Sequence, residues 1–503
     1  MPGLVPIFDS LDYYPDPQVQ VPRYQNLYTQ FERTYHVTPD FVSRSPGRVN
    51  LIGEHIDYCQ FSVLPLAIDV DVIMAVRAQD ERVIELANLD PTFGARTIPL
   101  PDGDLISIDA SESDWSNYFK CGLLVAHELL MEKTGGKVLL KGMKILTTGS
   151  VPAGSGLSSS AAFVCASALA TLHANGMKHI TKADMTKITI VSEHHMGVNT
   201  GGMDQAASVC GERNHALYVE FRPELKATAF KFPELDPPLA FLIANTLVTS
   251  NKHETAPTNY NLRVVEVSVA AQLLAKKLSV TIANDGNLNC GTLRGVMDSY
   301  YASHGQAAWL GAIQEGEVRL SQMLELTEKH IRKEAYTTQE LAAELGLTEA
   351  EFHDRFLSLF PVSFEKLHIY ARAKHVYSEA LRVLKALLLL QLSTDSGTFY
   401  TEFGRLMDQS QASCDTLFNC SCDEINRICD IARKNGATGS RLTGAGWGGC
   451  TVHLVPVNRV TEVERALIDE YYKVKFPGIT VADLQEAIVV SKPAYGSSLY
   501  IQR

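Results

Sequence analysis

The stretch Val151-Pro152-Ala153-Gly154-Ser155-Gly156-Leu157-Ser158-Ser159-Ser160-Ala161-Ala162 decides how this chain is read. Its glycines and small hydroxyl residues run straight into Phe163-Val164-Cys165-Ala166-Ser167-Ala168-Leu169-Ala170, which reads as a helix. A helix start leaves backbone N–H groups without intrahelical partners and carries a partial positive charge. Glycines just before it let an anion approach the backbone closely. Together these features make a phosphate cradle. A Gly/Ser loop with an ordinary serine N-cap would look the same, so the rest of the chain has to choose between the two.

At 503 residues the chain can bury a large core and is expected to form two domains. Its 46% apolar and 20% charged residues place it among globular proteins. A net charge of −12 argues against a broad nucleic-acid or anionic-membrane surface. Neither direct DNA binding nor membrane association is therefore expected, whereas a nucleotide cleft needs only local positive groups. The opening Met1-Pro2-Gly3-Leu4-Val5-Pro6 lacks a basic start and an apolar run, so no secretory signal is expected. The longest aliphatic block, Ala386 to Leu392, is far too short to span a bilayer. Ten cysteines are scattered, and Cys420 and Cys422 have no metal-site companions, which argues against structural zinc and suits a cytoplasmic location.

Working outward from the loop, Gly142 to Thr147 reads as a strand leading into it, and Asp114 is a candidate N-cap for a helix running to about Met131. Further upstream, Val21 to Tyr35 reads as a helix, and Phe41 to Val42, Ser62 to Leu66 and Val70 to Arg77 as strands. Downstream, Met185 to His195 reads as a helix, and Ala216 to Phe221 and Leu239 to Ala244 as strands. A boundary near 245 divides an N-terminal lobe, 1–245, from a C-terminal lobe, 246–503. The second lobe reads as mainly helical to about 435, followed by strands at Cys450 to Val455 and Glu486 to Val490 and a helix from Thr461 to about Val474 between them. Thr337-x-x-Glu340 and Thr348-x-x-Glu351 are two capping boxes either side of Gly346. Paired short helices also describe a DNA reader, but Glu349, Glu351 and Asp354 would repel a phosphate backbone. An exposed helical insertion within about 280–360 is the better reading.

Two further blocks carry chemistry. Ser45-Pro46-Gly47-Arg48-Val49-Asn50-Leu51-Ile52-Gly53-Glu54-His55-Ile56-Asp57-Tyr58 packs Arg48, Glu54, His55 and Asp57 into ten residues. Glu54, His55 and Asp57 can accept hydrogen bonds from hydroxyl groups, as a sugar site requires, although a structural salt-bridge cluster would use the same residue types. Gly444-Ala445-Gly446-Trp447-Gly448-Gly449 formally satisfies Gly-x-Gly-x-x-Gly, yet Cys450 to Val455 reads as a strand where the dinucleotide fingerprint needs a helix. The loop itself is not a Walker A sequence, since no Gly-Lys-Ser/Thr comes after its glycines. Ser160, at the helix mouth, can instead place a hydroxyl on a phosphate-bound magnesium ion.

The segment from Pro46 to Tyr58 resembles the galactokinase signature, and Pro152 to Ala162 and Gly444 to Gly449 resemble the second and third motifs of the GHMP superfamily of small-molecule kinases. The three lie in family order. Gln60 to Ala67, the length and the helical insertion resemble the fungal branch. The resemblance implies an α+β, two-lobed GHMP fold, with a mixed N-terminal sheet, a more helical C-terminal α/β lobe and the site between lobes. It implies transfer of the γ-phosphate of ATP to the C1 hydroxyl of galactose, with N-acetylgalactosamine as an alternative sugar. Gly201-Gly202-Met203-Asp204-Gln205 matches the family segment with the catalytic aspartate, so Asp204 is the implied base and Arg48 its neighbour, countering charge on the transferred group. Positioning and charge stabilisation would supply much of the rate. Arg48, Glu54, His55, Asp57, Gly201, Asp204 and Tyr260 are the implied sugar contacts. Gly154, Ser155, Gly156, Leu157, Ser158, Ser159 and Ser160, with Trp115 and Asn117 near the base, are the implied ATP contacts. Ser160 and Glu193 are the implied magnesium ligands. Some fungal relatives sense galactose and ATP and engage a transcriptional repressor, and the non-catalytic ones have a shortened loop. Here Ser158-Ser159-Ser160-Ala161-Ala162 is complete, which implies catalysis and leaves room for a second, repressor-binding role.

Overall fold

The strand Leu64–Gln79 shows how the first sheet is built. Successive side chains of a strand point to opposite faces. Val72, Met74 and Val76 pack on one side with Phe119, Leu123, Ala162 and Ala166, which lie on the helices Ser116–Thr134 and Ser159–Ala174. Ile73 and Ala75 pack on the other with Leu27 and Phe31 of the helix Pro17–Tyr35. A strand covered on both faces reads as one apolar run, which is why Val70 to Arg77 looks buried in the sequence. The structure is a computed structural model describing residues 3–109, 114–152, 154–194, 201–248 and 255–502, with the side chains of 192–194 outside the description.

Seven strands form that sheet, in the spatial order Ile7–Phe8, Ser498–Tyr500, Phe41–Ile52, Leu64–Gln79, Gly142–Gly149, Val83–Asn88, Arg96–Pro99. A four-stranded antiparallel sheet runs Gly439–Leu442, Cys450–Pro456, Leu239–Asn245, Ile488–Ser491, and His215–Glu220 pairs with Lys226–Lys231. The architecture is α+β. The division drawn near 245 falls just after a strand that pairs into the second sheet, while Ser498–Tyr500 pairs back into the first. Arg44 fastens that return, donating from Nη1 to the carbonyls of Tyr495 (2.8 Å) and Gly496 (3.1 Å) and from Nε to the buried Asp71 (2.5 Å).

Several helix starts follow their local chemistry. Pro17–Tyr35 begins four residues before the expected Val21, because Asp16 accepts from the Gln18 N–H (3.2 Å) and Pro17 sits where its missing N–H is harmless. Asp114, the expected N-cap, accepts from the Ser116 N–H at 2.8 Å, but the helix starts at Ser116 and the cap position falls to Trp115. Both boxes are present, Thr337 with Glu340 and Thr348 with Glu351, heading Thr338–Leu345 and Glu349–Phe356 on either side of a left-handed Gly346. Those helices are not simply exposed: Leu341, Ala342, Phe352 and Phe356 are buried, and both pack against the helix Tyr260–Lys277. The strand expected at Glu486 begins at Ile488, since a third box, Thr480 with Asp483, first builds the helix Val481–Ala487. Among the described residues no helix is long and apolar enough to cross a membrane.

Candidate functional site

The loop before the helix Ser159–Ala174 is held on two sides by backbone from the other two blocks. From the first, the Arg48 N–H donates to the Leu157 carbonyl (3.1 Å) and Arg48 Nη1 to the Gly156 carbonyl (2.6 Å). From the third, Gly444 lies so close that a Cβ there would stand 2.6 Å from the Gly156 oxygen, and its φ of +85° is left-handed. Only glycine meets both demands. Ser158 ends the loop in the left-handed region, with φ 60°, and Ser159 and Ser160 form the first turn of the helix, where N–H groups face outward along the axis.

Asp204 sits in the first turn of the helix Met203–Cys210, which brings it to the lip of this loop. Arg48 Nε donates to its Oδ1 at 2.7 Å and Ser158 Oγ to its Oδ2 at 2.5 Å. One carboxylate thus joins the first block to the phosphate-loop candidate, and each of its oxygens keeps a lone pair for a further donor. Gly201 lies just before the same helix. Its N–H donates to Asp57 Oδ2 (3.2 Å), and a Cβ at Gly201 would fall 2.5 Å from that oxygen, so glycine is what lets the two segments touch.

The three acceptors of the first block differ in state. Burial, reinforced by the nearby charge of Asp204 and less by that of Glu54, pushes the Asp57 carboxyl up to about 7. Burial also raises Glu54, against the pull of Arg441 and Arg48. Arg441 Nη2 donates to Glu54 Oε2 at 2.9 Å and its Nη1 to the Asn50 carbonyl at 2.6 Å. Burial lowers His55 to about 3, so its ring is neutral. Its Nε2 lies 2.9 Å from the Ala445 carbonyl, which can only accept, so that nitrogen carries the proton and Nδ1 accepts from Tyr58 Oη at 3.0 Å. Both nitrogens are therefore held by protein groups. His55 forms part of an aromatic wall with Tyr260 (5.7 Å between ring centroids), Phe418 (4.8 Å) and Trp447 (5.7 Å).

On the nucleotide side, Trp115 packs edge-on against Phe163, within the second turn of the loop's helix, at 6.1 Å, and its Nε1 donates to the Gly94 carbonyl. Asn117 is buried, donating from Nδ2 to the Asp109 carbonyl (2.9 Å) and accepting from Lys120 Nζ (3.1 Å). Ser155 Oγ donates to the Pro152 carbonyl (2.6 Å), fixing the loop's turn. Glu193 lies on the helix Lys182–His194, but its side chain is outside the described residues. Sequence reasoning missed Arg441, Thr443, His375 and Glu379. Thr443 Oγ1 accepts from the Asn50 N–H at 2.8 Å, and Glu379 Oε1 from the Gly53 N–H at 2.8 Å. Their signals were an arginine and a threonine just before a glycine run, and His375 and Glu379 four apart on an apolar helix face.

Three distant segments meeting around one helix mouth, with an Arg–Asp pair at its lip, define a small-molecule kinase of the GHMP class. The GHMP kinases N terminal domain matches residues 117–212, the GHMP kinases C terminal domain 395–474, and the galactokinase galactose-binding signature 29–78. The chain is 53% identical over 496 residues to a galactokinase of Saccharomyces cerevisiae, covering 94% of both chains. It is 50% identical over 510 residues to one of Schizosaccharomyces pombe, covering 98% of both. The chain belongs to the galactokinase family. A solved Lactococcus lactis galactokinase complexed with galactose shares the fold, with a TM-score of 0.65 at 21% identity, over 95% of this chain and 99% of that one.

Proposed function

We propose that this chain transfers the γ-phosphate of ATP to the C1 hydroxyl of galactose, giving galactose 1-phosphate and ADP. The single observation that carries the reading is the Asp204 carboxylate, bound by Arg48 of the galactokinase signature and by Ser158 of the phosphate loop. A sugar hydroxyl at Asp204 would be at the edge of a site built for phosphate. Asp204 takes the hydroxyl proton as the sugar oxygen bonds to the γ-phosphorus and the bond to the β–γ bridging oxygen breaks, releasing ADP. Arg48, the first-turn N–H groups and the loop backbone stabilise the charge gathering on the phosphoryl oxygens. Glu54 and Asp57 accept from sugar hydroxyls, Gly201 brings Asp57 into place, and Tyr260 with His55 gives the sugar an aromatic wall. Trp115 flanks the nucleotide base. The intact serine run heading the helix favours catalysis over ligand sensing alone.

Magnesium is the metal we assign to this site. Such an ion keeps several waters and needs only one or two protein oxygens beside the substrate phosphates. The partly exposed Ser160 hydroxyl in the helix's first turn fits that demand. Glu193 is the proposed second ligand. Held by Ser160 and Glu193, the ion would supply positive charge against the negative charge of the phosphates.

The test is ADP release with galactose against N-acetylgalactosamine. A kcat/KM at least about tenfold higher for galactose is expected; preference for the acetylated sugar would reassign the substrate. Asp57 adds a pH signature. Its ordinary value is about 3.9, so its raised value of about 7 favours the neutral form in the folded protein. The stability this contributes is full below about pH 4 and is lost as pH rises through about 7. Sugar binding runs the other way, because the carboxylate is the better acceptor. The kcat/KM for galactose should climb from about pH 6 to about pH 8 with an inflection near 7, and Asp57→Asn should remove that inflection. An unchanged profile in the variant would rule Asp57 out as its origin.

A further inference from the structure

The helix Ile369–Leu392 buries two groups that the reaction does not use, His375 and Glu379. Both reach the backbone of the sugar-reading segment. Glu379 Oε1 accepts from the N–H groups of Gly53 (2.8 Å) and Glu54 (3.3 Å) and from Ser410 Oγ (2.6 Å), while Oε2 accepts from Arg382 Nε (2.6 Å). His375 Nε2 lies 3.0 Å from the Glu54 carbonyl, so it donates there, and Nδ1 accepts from Ser413 Oγ at 2.8 Å. Phe418 packs against both the His375 ring (4.4 Å) and the His55 ring (4.8 Å).

We infer that Glu379 and His375 are positioning residues that set sugar affinity by fixing Glu54 from the C-terminal part of the chain, without touching the sugar. The inference rests on Glu54 reading a sugar hydroxyl. Glu54 is held at its N–H by Glu379, at its carbonyl by His375 and at its carboxylate by Arg441. No rotation of its backbone is free of one of these bonds. The sequence separation is itself telling: a loop that needed only burial could be covered by apolar side chains, and buried polar groups are costly unless satisfied. Here the polar groups are satisfied by the very peptide that carries Glu54. Burial would raise Glu379, but Arg382, His375 and Arg441 hold it down at about 2, so it faces those amides as a carboxylate.

Steady-state kinetics of the full chain with galactose and with ATP tests this. In Glu379→Gln the amide NH2 must face either Arg382 or the Gly53 and Glu54 N–H groups, donor against donor. The galactose KM should rise about tenfold while the ATP KM stays within about twofold. His375→Leu should do the same, and His375→Gln, which can still donate, should restore a near-parental galactose KM. A merely structural role would lower the unfolding temperature, or raise both KM values together, without that rescue, and either result would overturn the inference. Should the Glu379 and His375 variants fail to fold, Ser410→Ala removes a donor to Glu379 and an acceptor from Arg441 Nε while leaving the Glu379–Arg382 and Glu54–Arg441 ion pairs; a selective rise of about threefold supports the inference and no change overturns it. Glu54→Gln separates the two layers. If it leaves the galactose KM unchanged, the sugar-reading role of Glu54 fails; if it raises KM while the helix variants do not, only the positioning role fails.

Discussion

Asp204→Asn should lower kcat by at least about 10³-fold while leaving galactose affinity within about threefold. Asparagine has the same shape. Its Oδ1 can still accept from Arg48 Nε, and its NH2 can donate to the Ser158 hydroxyl, which then accepts instead of donating. The join between the first block and the phosphate loop therefore survives, and what disappears is the group that takes the C1 proton. Turnover by coupled ADP assay and galactose binding by calorimetry separate the two. A variant that keeps more than about a tenth of the parental kcat would show that Asp204 acts through geometry alone.

Arg441→Met should be the most damaging change to stability near the site. Arg441 is fully buried, and its guanidinium holds the Glu54 carboxylate, the Asn50 carbonyl and Ser410 Oγ. Removing one partner of a buried pair leaves the other charge uncompensated, at about 3–5 kcal/mol. An unfolding entropy of about 2.1 cal/mol/K per residue makes each kcal/mol worth about 1 °C in a chain of this length, so a fall of about 3–5 °C is expected. The sign of its pH dependence comes from Glu54. Its carboxyl is already raised by burial, and losing Arg441 raises it further. A raised carboxyl contributes stability at low pH that is lost as pH rises through its folded value, so the deficit against the parent should grow as pH rises above the ordinary carboxylate range. Adding Glu54→Gln should recover part of the lost stability. If the double variant is no more stable than Arg441→Met, the pair is not the source of the loss.

Much of this fold was legible because its local signals were unopposed. The capping boxes at Thr337 and Thr348 form as read, and the strand after Gly449 rules out a dinucleotide fingerprint as its sequence suggests. What the sequence hid was set by distance along the chain. Nothing near Ser498 marks it as the partner of Arg44, and nothing near Glu379 points to Gly53. His55 shows the same limit. Its residue type suits a sugar acceptor, but only the fold reveals that Ala445 and Tyr58 hold both nitrogens. Around Arg48 only Phe41 to Val42 reads as a strand, yet Phe41–Ile52 is one strand buried along all of its length, and the charges of the block are met by groups from remote segments.

The seating of Ser498–Tyr500 between Ile7–Phe8 and Phe41–Ile52 bears on how the molecule is made. Among the described residues Ile7–Phe8 pairs with that late strand alone, so it waits for a sheet partner while the chain is still growing. A ribosome can finish the phosphate loop, the Asp204 helix and the whole insertion, and the first sheet still has an open edge. Unpaired edges recruit other chains. A chain stopped short of residue 495 would thus leave the Phe41–Ile52 edge unpaired and Arg44 without its two late carbonyls, an adhesive form expected to aggregate more readily than the finished chain.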